Sequence, residues 1–403
     1  MIALEYIFFI IQAVTVFFLL FPFLNVMAAL IFPKKTLNEE IKKHFDFAAV
    51  ITGYKESEIC IPLVESLLKQ DYENYIVYLV ADECDVSLFN FENDKVKVLK
   101  PEKKLGSKVR SIKYAIENFQ REHEAVIIFD PDNLAHPDFM KESNKYFNNG
   151  FKAVQGRRTA KNVDTIYACV DAMGEYYYNY IVRYAPFNLG SSAPISGSGM
   201  TIELNLYNEY LNNEEITTGL DKVIVAEDKI LQTELVDKGY RIAYAKDAIV
   251  YDEKVTSAAQ VERQRTRWLN SYFMYTIVAL KMVFKGFIRF NWNQFYFGLN
   301  IFLPPLFIII LLSLLFTVTN IFISYSFFLA WLIALIIFTL NFMLVLALSR
   351  VEKEIWRSLW GIPFFVFYQI LALFKIKRSK KDFMETKHGK FLTIEEVIKN
   401  KAL

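Results

Sequence analysis

The chain has few of the residues that build disulfide frameworks and zinc sites. Among its 403 residues there are three cysteines and four histidines. Cys60, Cys84 and Cys169 form no close pair, and no histidine stands in the HExxH pattern of zinc hydrolases. The sequence therefore predicts neither a disulfide-stabilised domain nor a zinc enzyme.

An excess of charge is also lacking. The 46 Lys and Arg residues against 44 Asp and Glu leave a formal net charge of +2, which is too small to predict nucleic acid as a partner. Hydrophobic residues are abundant instead: they make up 54% of the chain and are concentrated towards its two ends. Short basic runs stand beside these apolar stretches, so we expect membrane lipids as their partners.

Long runs without charge predict membrane helices at both ends. No charged residue lies between Glu5 and Lys34, a stretch long enough as a helix to cross about 30 Å of hydrocarbon. Because no basic segment precedes this run and no small-residue cleavage site follows it, we interpret residues 1–33 as a transmembrane helix rather than a signal peptide. A second uncharged run predicts a transmembrane helical hairpin over residues 290–349.

The distribution of basic residues predicts the orientation of these helices. Lys34, Lys35, Lys42 and Lys43 follow the first apolar run, whereas no basic residue precedes it. The positive-inside rule then places the N-terminus outside and the middle of the chain in the cytoplasm. We therefore expect an integral protein of a bacterial cytoplasmic membrane, with residues 45–270 forming a cytoplasmic domain.

Two further segments are interpreted as lying at the membrane surface. Basic residues recur at every fourth position near the end of residues 271–289, which predicts an amphipathic interfacial helix. Segment 355–376 contains Gly361 and Pro363 and has basic residues on both sides, so it is interpreted as an interfacial, a re-entrant or a fourth transmembrane segment. Residues 377–403 are expected to form a basic cytoplasmic tail.

Short β-rich runs alternate with helical stretches through residues 45–270. This pattern predicts an α/β domain with a mostly parallel sheet, in which ligands bind beyond the carboxyl ends of the strands. One of the runs, AVIIFD, ends in Asp130, and Asp132 follows two residues later. Such a pair can hold a hard divalent cation that neutralises a diphosphate, although it also occurs in ordinary strand-to-loop turns.

Further short motifs follow one another along this region. In chain order, the motifs are Thr52–Glu56, Ala81–Asp85, Lys104–Lys108, Asp130–Asn133, Gly197–Met200, Ala226–Asp228 and Gln264–Trp268. The ordered set resembles the membrane-bound family 2 glycosyltransferases, the inverting group that includes cellulose, hyaluronan and poly-N-acetylglucosamine synthases and ceramide glucosyltransferase. The resemblance implies a GT-A type nucleotide-sugar-binding domain. Ala81 departs from it, because many relatives have an acidic residue there.

The resemblance implies roles for residues that would bind the donor. The family's nucleotide-contacting residues are matched by Tyr54, Glu56 and Asp82. Lys108 is similar to the basic residue beside the diphosphate, and it opens a predicted helix whose N-terminus also favours anions. Asp130 and Asp132 are similar to the metal-binding pair, which implies Mg²⁺ or Mn²⁺ as the cofactor.

The resemblance also implies catalytic residues and an acceptor site. Asp228 matches the base that takes the proton of the acceptor hydroxyl, whereas Glu227 is expected to point elsewhere. In the QxxRW signature Gln and Arg approach the diphosphate, with Arg supporting its departure, and Trp stacks against the acceptor sugar. This signature is matched by Gln264, Arg267 and Trp268. Weaker matches to the acceptor site are Gln155, Ser198, Gly199 and the tail segment 385–388.

These implied roles predict an inverting glycosyltransferase that transfers a sugar from a nucleotide-diphosphate donor, expected to be UDP-linked, to a growing polysaccharide at the cytoplasmic face of the membrane. Two alternatives are the transfer of one sugar to a membrane lipid and a non-enzymatic membrane transporter with a nucleotide-binding domain. The expected partners are the nucleotide sugar, a saccharide or lipid acceptor, membrane lipids and accessory export subunits, without nucleic acid.

Overall fold

The computed structural model describes residues 2–32, 36–213, 227–375, 389 and 391–402. Within these residues the chain forms an eight-stranded sheet, helices on both of its faces, and a group of long apolar helices. The predicted α/β fold, with apolar helices at the N-terminus and in the C-terminal region, is confirmed.

The sheet combines parallel and antiparallel pairs. In chain order, the strands are β1 Phe47–Tyr54, β2 Tyr75–Asp82, β3 Val96–Leu99, β4 Ala125–Phe129, β5 Leu134–Ala135, β6 Ala153–Ala160, β7 Met200–Glu203 and β8 Ile242–Asp252. Their order across the sheet is β3-β2-β1-β4-β7-β6-β8-β5. β1, β2, β3 and β4 are parallel, as are β6 and β8, whereas β7 and β5 are antiparallel to their neighbours. The sheet is therefore mostly parallel, as predicted.

The register of the central strands brings predicted site residues to one edge. Tyr54 at the end of β1 pairs with Asp82 at the end of β2, and Ile51 of β1 pairs with Phe129 at the end of β4. The three strands consist largely of buried apolar residues, which is typical of a parallel sheet covered on both faces. Because they run in the same direction, the residues that follow them lie at the same edge.

Helices cover both faces of the sheet and extend beyond it. In chain order, the helices are α1 Ile2–Ile31, α2 Cys60–Leu68, α3 Lys108–Glu117, α4 Phe139–Asn148, α5 Ile166–Tyr178, α6 Ala185–Asn188, α7 Leu204–Leu211, α8 Glu227–Asp237, α9 Ala258–Ile288, α10 Trp292–Phe302, α11 Leu306–Ile323, α12 Tyr325–Leu348, α13 Lys353–Arg357, α14 Ile362–Lys375 and α15 Ile394–Ala402. A π-helical segment, Asn179–Tyr184, joins α5 to α6. Apolar side chains of α2 and α4 pack on one face of the sheet, and those of α3, α7 and α8 pack on the other.

Three helices long and apolar enough to cross a membrane pack against one another: α1, α11 and α12. The side-chain nitrogens of Asn320 and Trp331 both donate hydrogen bonds to Gln12 Oε1 at 2.7 Å, which ties the three helices together. Ser324 alone separates α11 from α12. The hairpin therefore begins at Leu306, later than the predicted residue 290, because α10 occupies the first part of that segment.

α9 also qualifies as a membrane span by length and composition, but both of its ends contact the α/β domain. Near its start Arg265 forms an ion pair with Asp171 of α5, and near its end Lys285 Nζ lies 3.0 Å from Asp237 Oδ2 of α8. We infer that α9 lies along the domain, which supports the interfacial interpretation. No proline or glycine interrupts the helix where residues 270 and 271 meet, so the predicted domain boundary falls inside one continuous helix.

Segment 355–376 forms most of α13 and all of α14. α14 has 14 residues, which gives a length of about 21 Å, against about 30 Å of hydrocarbon. Its last residue, Lys375, pairs with Glu262 of α9 at 2.5 Å. With the 3-10 turn before it, the apolar helix runs over Leu359–Lys375, and whether this segment is interfacial, re-entrant or a fourth span stays a prediction.

The predicted tail, residues 377–403, contains a docked helix. Ile394 and Val397 of α15 are buried against Leu134 of β5 and Tyr251 of β8. The apolar face of α15 was not apparent as a docking element from the basic composition of this segment.

Candidate active site

The carboxylate of Asp82 holds the loop that leads into α3. Asp82 is 2% exposed, and its two oxygens accept hydrogen bonds from the backbone N–H groups of Leu105 and Gly106 at 3.0 and 2.7 Å. Gly106 has a φ of +61°, which glycine adopts without steric cost. Asp82 therefore positions the loop that carries Lys108, and both of its oxygens are engaged in that role.

Tyr54 and Glu56 lie at the accessible end of β1. Lys104 Nζ is 5.4 Å from the centroid of the Tyr54 ring and 3.1 Å from Glu83 Oε2. Lys55 and Glu83 have φ values of +62° and +56°, a strained backbone conformation that concentrates at functional sites. Glu56 is exposed. These placements agree with the predicted nucleotide-contacting role of Tyr54 and Glu56, which remains a prediction.

Lys108 is the positive charge at the centre of an acidic cluster. Its Nζ pairs with Asp130 Oδ1, donates to Gly197 O at 2.7 Å and lies 3.9 Å from Glu227 Oε1. Burial by itself lowers the pKa of this lysine, but Asp130, Glu227 and Asp228 outweigh it and raise the pKa. Lys108 therefore stays charged, and it is the first residue of α3, where the helix N-terminus also favours anions.

Glu227 and Asp228, at the start of α8, both lie beside the loop that contains Gly197. A Cβ placed on Gly197, whose φ is +75°, would lie 3.8 Å from both Asp228 Cβ and Glu227 Oε1. The expectation that Glu227 points elsewhere is therefore wrong, because successive residues of a helix are only about 100° apart and both can face one loop. Burial raises the pKa of Glu227; Lys108 opposes this and Asp228 adds to it.

Buried hydrogen bonds support the loop Gly197–Gly199 and Asp130. The N–H of Asp130 donates to Ser198 Oγ at 3.1 Å and to Asn133 Oδ1 at 3.2 Å. Gln155 Nε2 donates to two backbone carbonyls of the loop at 3.0 and 3.2 Å. Gln155 and Ser198 are both fully buried. The side chains of Gln155 and Ser198 thus lie on the buried side of the loop, and not on a surface that an acceptor could reach. Their polar atoms form hydrogen bonds with backbone groups instead.

Gly199→Ala is expected to destabilise the domain and slow catalysis. Gly199 has a φ of +61°, and an added Cβ would lie 2.8 Å from Val250 Cγ2. The left-handed conformation alone costs about 1–2 kcal/mol for a residue with a Cβ. Thermal unfolding of the wild type and the variant in the same detergent should show this loss of stability. Gly174→Ala is the matched control: Gly174 is exposed within α5 with open space around it, so alanine should stabilise by about 0.5–1 kcal/mol. Equal stability of the Gly199 variant and the wild type would contradict the expectation.

Asp130 and Asp132 offer hard oxygen ligands at the end of β4. The Asp130 side chain is one-third exposed, and Asp132 is largely buried. Among the residues that the structure describes, no group of three or more His, Cys, Asp or Glu could hold a metal. Mg²⁺ and similar cations, however, are commonly held by one or two carboxylates plus substrate phosphates. The pair fits such a cation if Lys108 shares or releases the Asp130 carboxylate.

The QxxRW segment lies near the start of α9. Arg267 is exposed and Trp268 is 37% exposed, so both can be reached by a ligand. Gln264 Oε1 is buried without a hydrogen-bond partner. An unpaired buried acceptor costs free energy, so Gln264 is poised to accept a hydrogen bond that a ligand or water would supply.

A buried tyrosine of α7, Tyr210, lies beside the start of α8. The hydroxyl of Tyr210 donates to Glu227 O at 3.2 Å. Burial raises the pKa of Tyr210, and the nearby charges of Asp228 and Tyr275 of α9 contribute to the rise. Tyr210 therefore fixes the backbone at the start of α8, next to the predicted base Asp228.

Arg265 anchors the QxxRW segment, a role that the sequence did not reveal. Its guanidinium carbon lies 4.4 Å from the ring centroid of Trp268 and 5.2 Å from that of Phe365. The same guanidinium pairs with the buried Asp171, 94 residues earlier. Arg265 thus orients Trp268 from one side. Arg263, Arg265 and Arg267 stand at alternate positions. Nothing in the sequence shows which of them pairs with a distant residue.

The sequence also did not predict a buried network of ion pairs between the sheet and α5. Asp252 lies 2.7 Å from Arg158 and 2.9 Å from Lys254. Lys254 in turn lies 3.6 Å from Glu175, which is 3.0 Å from Arg183. The only indication of this network in the sequence was weak. Charged residues occur within otherwise apolar strands and helices. Because Arg158 also donates to Ser196 O at 3.2 Å, the network supports the loop that holds Gly197.

The residues of the catalytic domain match a known family. Residues 44–271 match the model of the family described as "Glycosyltransferase like family 2", which covers more than half of the chain. The chain belongs to glycosyltransferase family 2. The prediction of an enzyme is therefore confirmed.

The fold of this glycosyltransferase is similar to that of PcManGT, a mannosyltransferase from Pyrobaculum calidifontis solved in complex with GDP-Man and Mn²⁺. The TM-score is 0.56 at 15% identity, and the match covers 92% of this chain and 98% of that one. The GT-A-like fold is thereby confirmed. Residues 1–349 of S. aureus TarS, in complex with UDP-GlcNAc, match with a TM-score of 0.37 and 16% identity over 53% of this chain and 59% of that one. Curated proteins gave no significant match.

The structure of this glycosyltransferase brings together part of the predicted site. Lys108, Asp130 and Asp228 surround Gly197. The predicted tail segment 385–388 lies outside the described residues, so its place is not part of the site described above.

Proposed function

We propose that this glycosyltransferase performs an inverting transfer from a nucleoside-diphosphate sugar, with UDP as the expected nucleotide, to an acceptor hydroxyl at the cytoplasmic face of the membrane. The meeting of Lys108, Asp130 and Asp228 around Gly197, at the carboxyl ends of the central strands, carries the proposal. A fixed cation beside several carboxylates suits a reaction that releases a diphosphate and a proton.

Asp228 is the base in this proposal, and Lys108 stabilises the leaving group. The Asp228 carboxylate takes the proton of the acceptor hydroxyl while that oxygen attacks the anomeric carbon from the face opposite the diphosphate. The ammonium of Lys108, already fixed by Gly197 O, lies ready for the negative charge that develops on the departing diphosphate. Glu227, whose pKa burial raises, balances the charge of Lys108.

The remaining residues bind and orient the substrates. The nucleoside would lie against Tyr54 and Glu56 on the loop edge that Asp82 holds. Gln264 and Arg267 would contact the diphosphate, and the exposed face of Trp268 would stack on the acceptor sugar. A divalent cation, Mg²⁺ or Mn²⁺, would be held by Asp130 and Asp132 and would neutralise diphosphate charge.

The acceptor in this proposal is the end of a growing polysaccharide. The bundle of α1, α11 and α12 stands beside the domain, where it could help a polymer to leave through the membrane with accessory export subunits. Lys42, Lys43 and Arg350 lie between these helices and the domain along the chain, which supports a cytoplasmic domain; the membrane in this proposal is a bacterial cytoplasmic membrane.

A membrane lipid is the second candidate acceptor, and an apolar groove favours it. The groove is lined by Ile166, Tyr167, Val170, Trp360, Gly361, Phe364 and Phe365. Phe365 also contacts Arg265, which stacks on Trp268. A hydrocarbon chain in this groove would bring its headgroup towards the QxxRW segment.

Product size separates the two acceptors. The purified protein, reconstituted in lipid, is incubated with a panel of radiolabelled nucleotide sugars and Mg²⁺ or Mn²⁺. A ladder of saccharides supports the polysaccharide, and one sugar on an organic-soluble lipid supports the second candidate. Failure of every donor to yield labelled product would sink the proposed function.

Removal of divalent cations should abolish transfer. EDTA is expected to stop the reaction, and Mn²⁺ or Mg²⁺ to restore it. Asp132→Asn should raise the Mn²⁺ concentration needed for half-maximal rate by at least roughly tenfold, because it removes a charged ligand. Asp94→Asn, at an exposed position just before the amino end of β3 and so away from the carboxyl ends of the strands, is the control. Undiminished transfer in EDTA would remove the cation from the proposal.

A further inference from the structure

We propose that the C-terminal helix α15 is a clamp that positions the Asp132 loop and couples it to the membrane helices, with Lys401 as its positioning residue. The inference rests on the proposed function, since it concerns the same site. Its basis is the contacts of α15 with three separate parts of the chain.

The first contact is apolar and lies directly beyond the candidate metal loop. Ile394 and Val397 are buried against Leu134 and Tyr251. Leu134 follows Asp132 by two residues and pairs with Tyr251 in the sheet. Strand β5 is only two residues long, so few ladder hydrogen bonds hold it. The apolar face of α15 therefore adds to the hydrogen bonds that Ala135 and His136 make with Ser66 and Ile249 in holding this edge strand.

The second contact is the ammonium of Lys401, at the far end of α15. It forms an ion pair with Glu352, and it lies 3.4 Å from both Thr159 Oγ1 and the Tyr176 hydroxyl. The Tyr176 hydroxyl also binds Glu352, at 2.9 and 3.0 Å. Burial lowers the pKa of Lys401, and Glu352 opposes the shift. The Lys401 and Glu352 side chains are 22% and 16% exposed, so the pair is partly buried, and the two hydroxyls that surround the ammonium make it a more specific contact than an exposed surface pair.

The elements joined by Lys401 lead to the active site on one side and to the membrane on the other. Thr159 follows Arg158 on β6, and Arg158 Nη1 donates to Ser196 O, beside Gly197. Glu352 lies between α12, which belongs to the membrane bundle, and α13. Lys401 thus links the end of a membrane helix to the strand that supports the Lys108 cluster.

The third contact joins the start of α15 to the catalytic domain. Glu395 pairs with Lys69, which follows α2, and the backbone N–H of Gly389 donates to Glu253 Oε1 at 3.0 Å. Both partners lie on the catalytic domain. The helix is therefore held near both of its ends, as a positioning element requires.

The test compares Lys401→Met with Lys399→Met, which changes an exposed lysine of the same helix. Two readouts are taken on the full-length protein in lipid. Hydrogen exchange of the amides in residues 130–135 reports the position of the loop without reference to activity. The Mn²⁺ concentration for half-maximal transfer and the split between kcat and the donor KM report its consequence.

Lys401→Met should speed exchange in residues 130–135, raise the Mn²⁺ requirement roughly tenfold and lower kcat, with the donor KM little changed. Lys399→Met should match the wild type in every readout. The charge reversal Lys401→Glu with Glu352→Lys should recover part of the rate and the protection, because it restores the ion pair.

Unchanged exchange and kinetics in folded Lys401→Met would overturn the clamp and leave the proposed function intact. A lowered melting temperature with unchanged exchange at 130–135 and unchanged Mn²⁺ requirement would also overturn it, because Lys401 would then be only a stabilising residue. If the wild type itself transfers no sugar, the proposed function fails, and the exchange comparison still decides whether α15 holds the loop.

Discussion

Asp228→Asn is expected to slow sugar transfer by roughly 100- to 10,000-fold, the usual contribution of a positioned general base. Asparagine keeps the shape of the side chain but cannot take the proton of the acceptor hydroxyl. Because Asp228 faces the loop at Gly197 and is not a ligand of the nucleotide in the proposal, donor affinity should stay close to that of the wild type. Initial rates with labelled donor and calorimetric titration of the donor measure the two effects.

Two controls make this result specific. Asp247→Asn changes an exposed carboxylate on β8 that pairs loosely with Lys246, and it should leave the rate unchanged. Glu227→Gln changes the neighbouring carboxylate of the cluster. Should Glu227→Gln abolish transfer while Asp228→Asn retains it, the role of base would pass to Glu227, whose pKa burial raises.

Glu175→Gln is expected to lower stability by about 3 kcal/mol and the melting temperature accordingly. The Glu175 carboxylate lies 3.0 Å from Arg183 and 3.6 Å from Lys254, and both cations are nearly inaccessible to water. Breaking a buried pair from one side costs about 3–5 kcal/mol, because a charge remains without compensation. The network also supports the Gly197 loop through Arg158, so the transfer rate should fall with stability. Thermal unfolding in detergent at pH 7 measures the effect.

The effect of Glu175→Gln should depend on pH. Burial alone would raise the pKa of Glu175, but Lys254, Arg158 and Arg183 outweigh it and lower the pKa from 4.5 to about 2. A pKa depressed by folding gives stability that is fully present above about 4.5 and is lost as the pH falls towards 2. The difference in melting temperature between wild type and variant should therefore shrink below pH 4.5.

Glu209→Gln is the matched control for Glu175. Glu209 forms an exposed ion pair with Lys238 at 2.9 Å, and such pairs contribute about 0–1 kcal/mol. A Glu175 variant no less stable than the Glu209 variant would show that the buried network does not stabilise the fold.

Local signals in the sequence were enough for the strands and apolar helices. The runs that became β1, β2 and β4 are continuous stretches of buried apolar residues, and each is followed by polar residues at a place where parallel strands present ligands. The long apolar helices were predictable because an uncharged run of that length has few alternatives. The boundary inside α9 was misplaced because its change from polar to apolar composition does not interrupt helical hydrogen bonding.

The roles of several site residues could not be predicted. Gln155 and Ser198 were expected at the acceptor, but their polar atoms are buried under the Gly197–Gly199 loop. Asp82 was expected at the nucleotide, a role that remains a prediction; its carboxylate also accepts hydrogen bonds from the loop before α3, which the motif did not indicate. A motif gives the residue type that a position needs, whereas the choice between touching a ligand and holding a loop depends on which backbone groups are left unpaired nearby.

The sequence by itself determined the class of the fold, the apolar helices at both ends, and the carboxylates and cation that the family's chemistry requires, because periodicity, run length and short motifs are local properties. Only the tertiary structure decided which of these charges meet. Lys108 and Glu227 are far apart in the chain, as are Arg265 and Asp171, or Lys401 and Glu352. Their pairing depends on strand order and helix docking, which bring distant charges together where water is excluded.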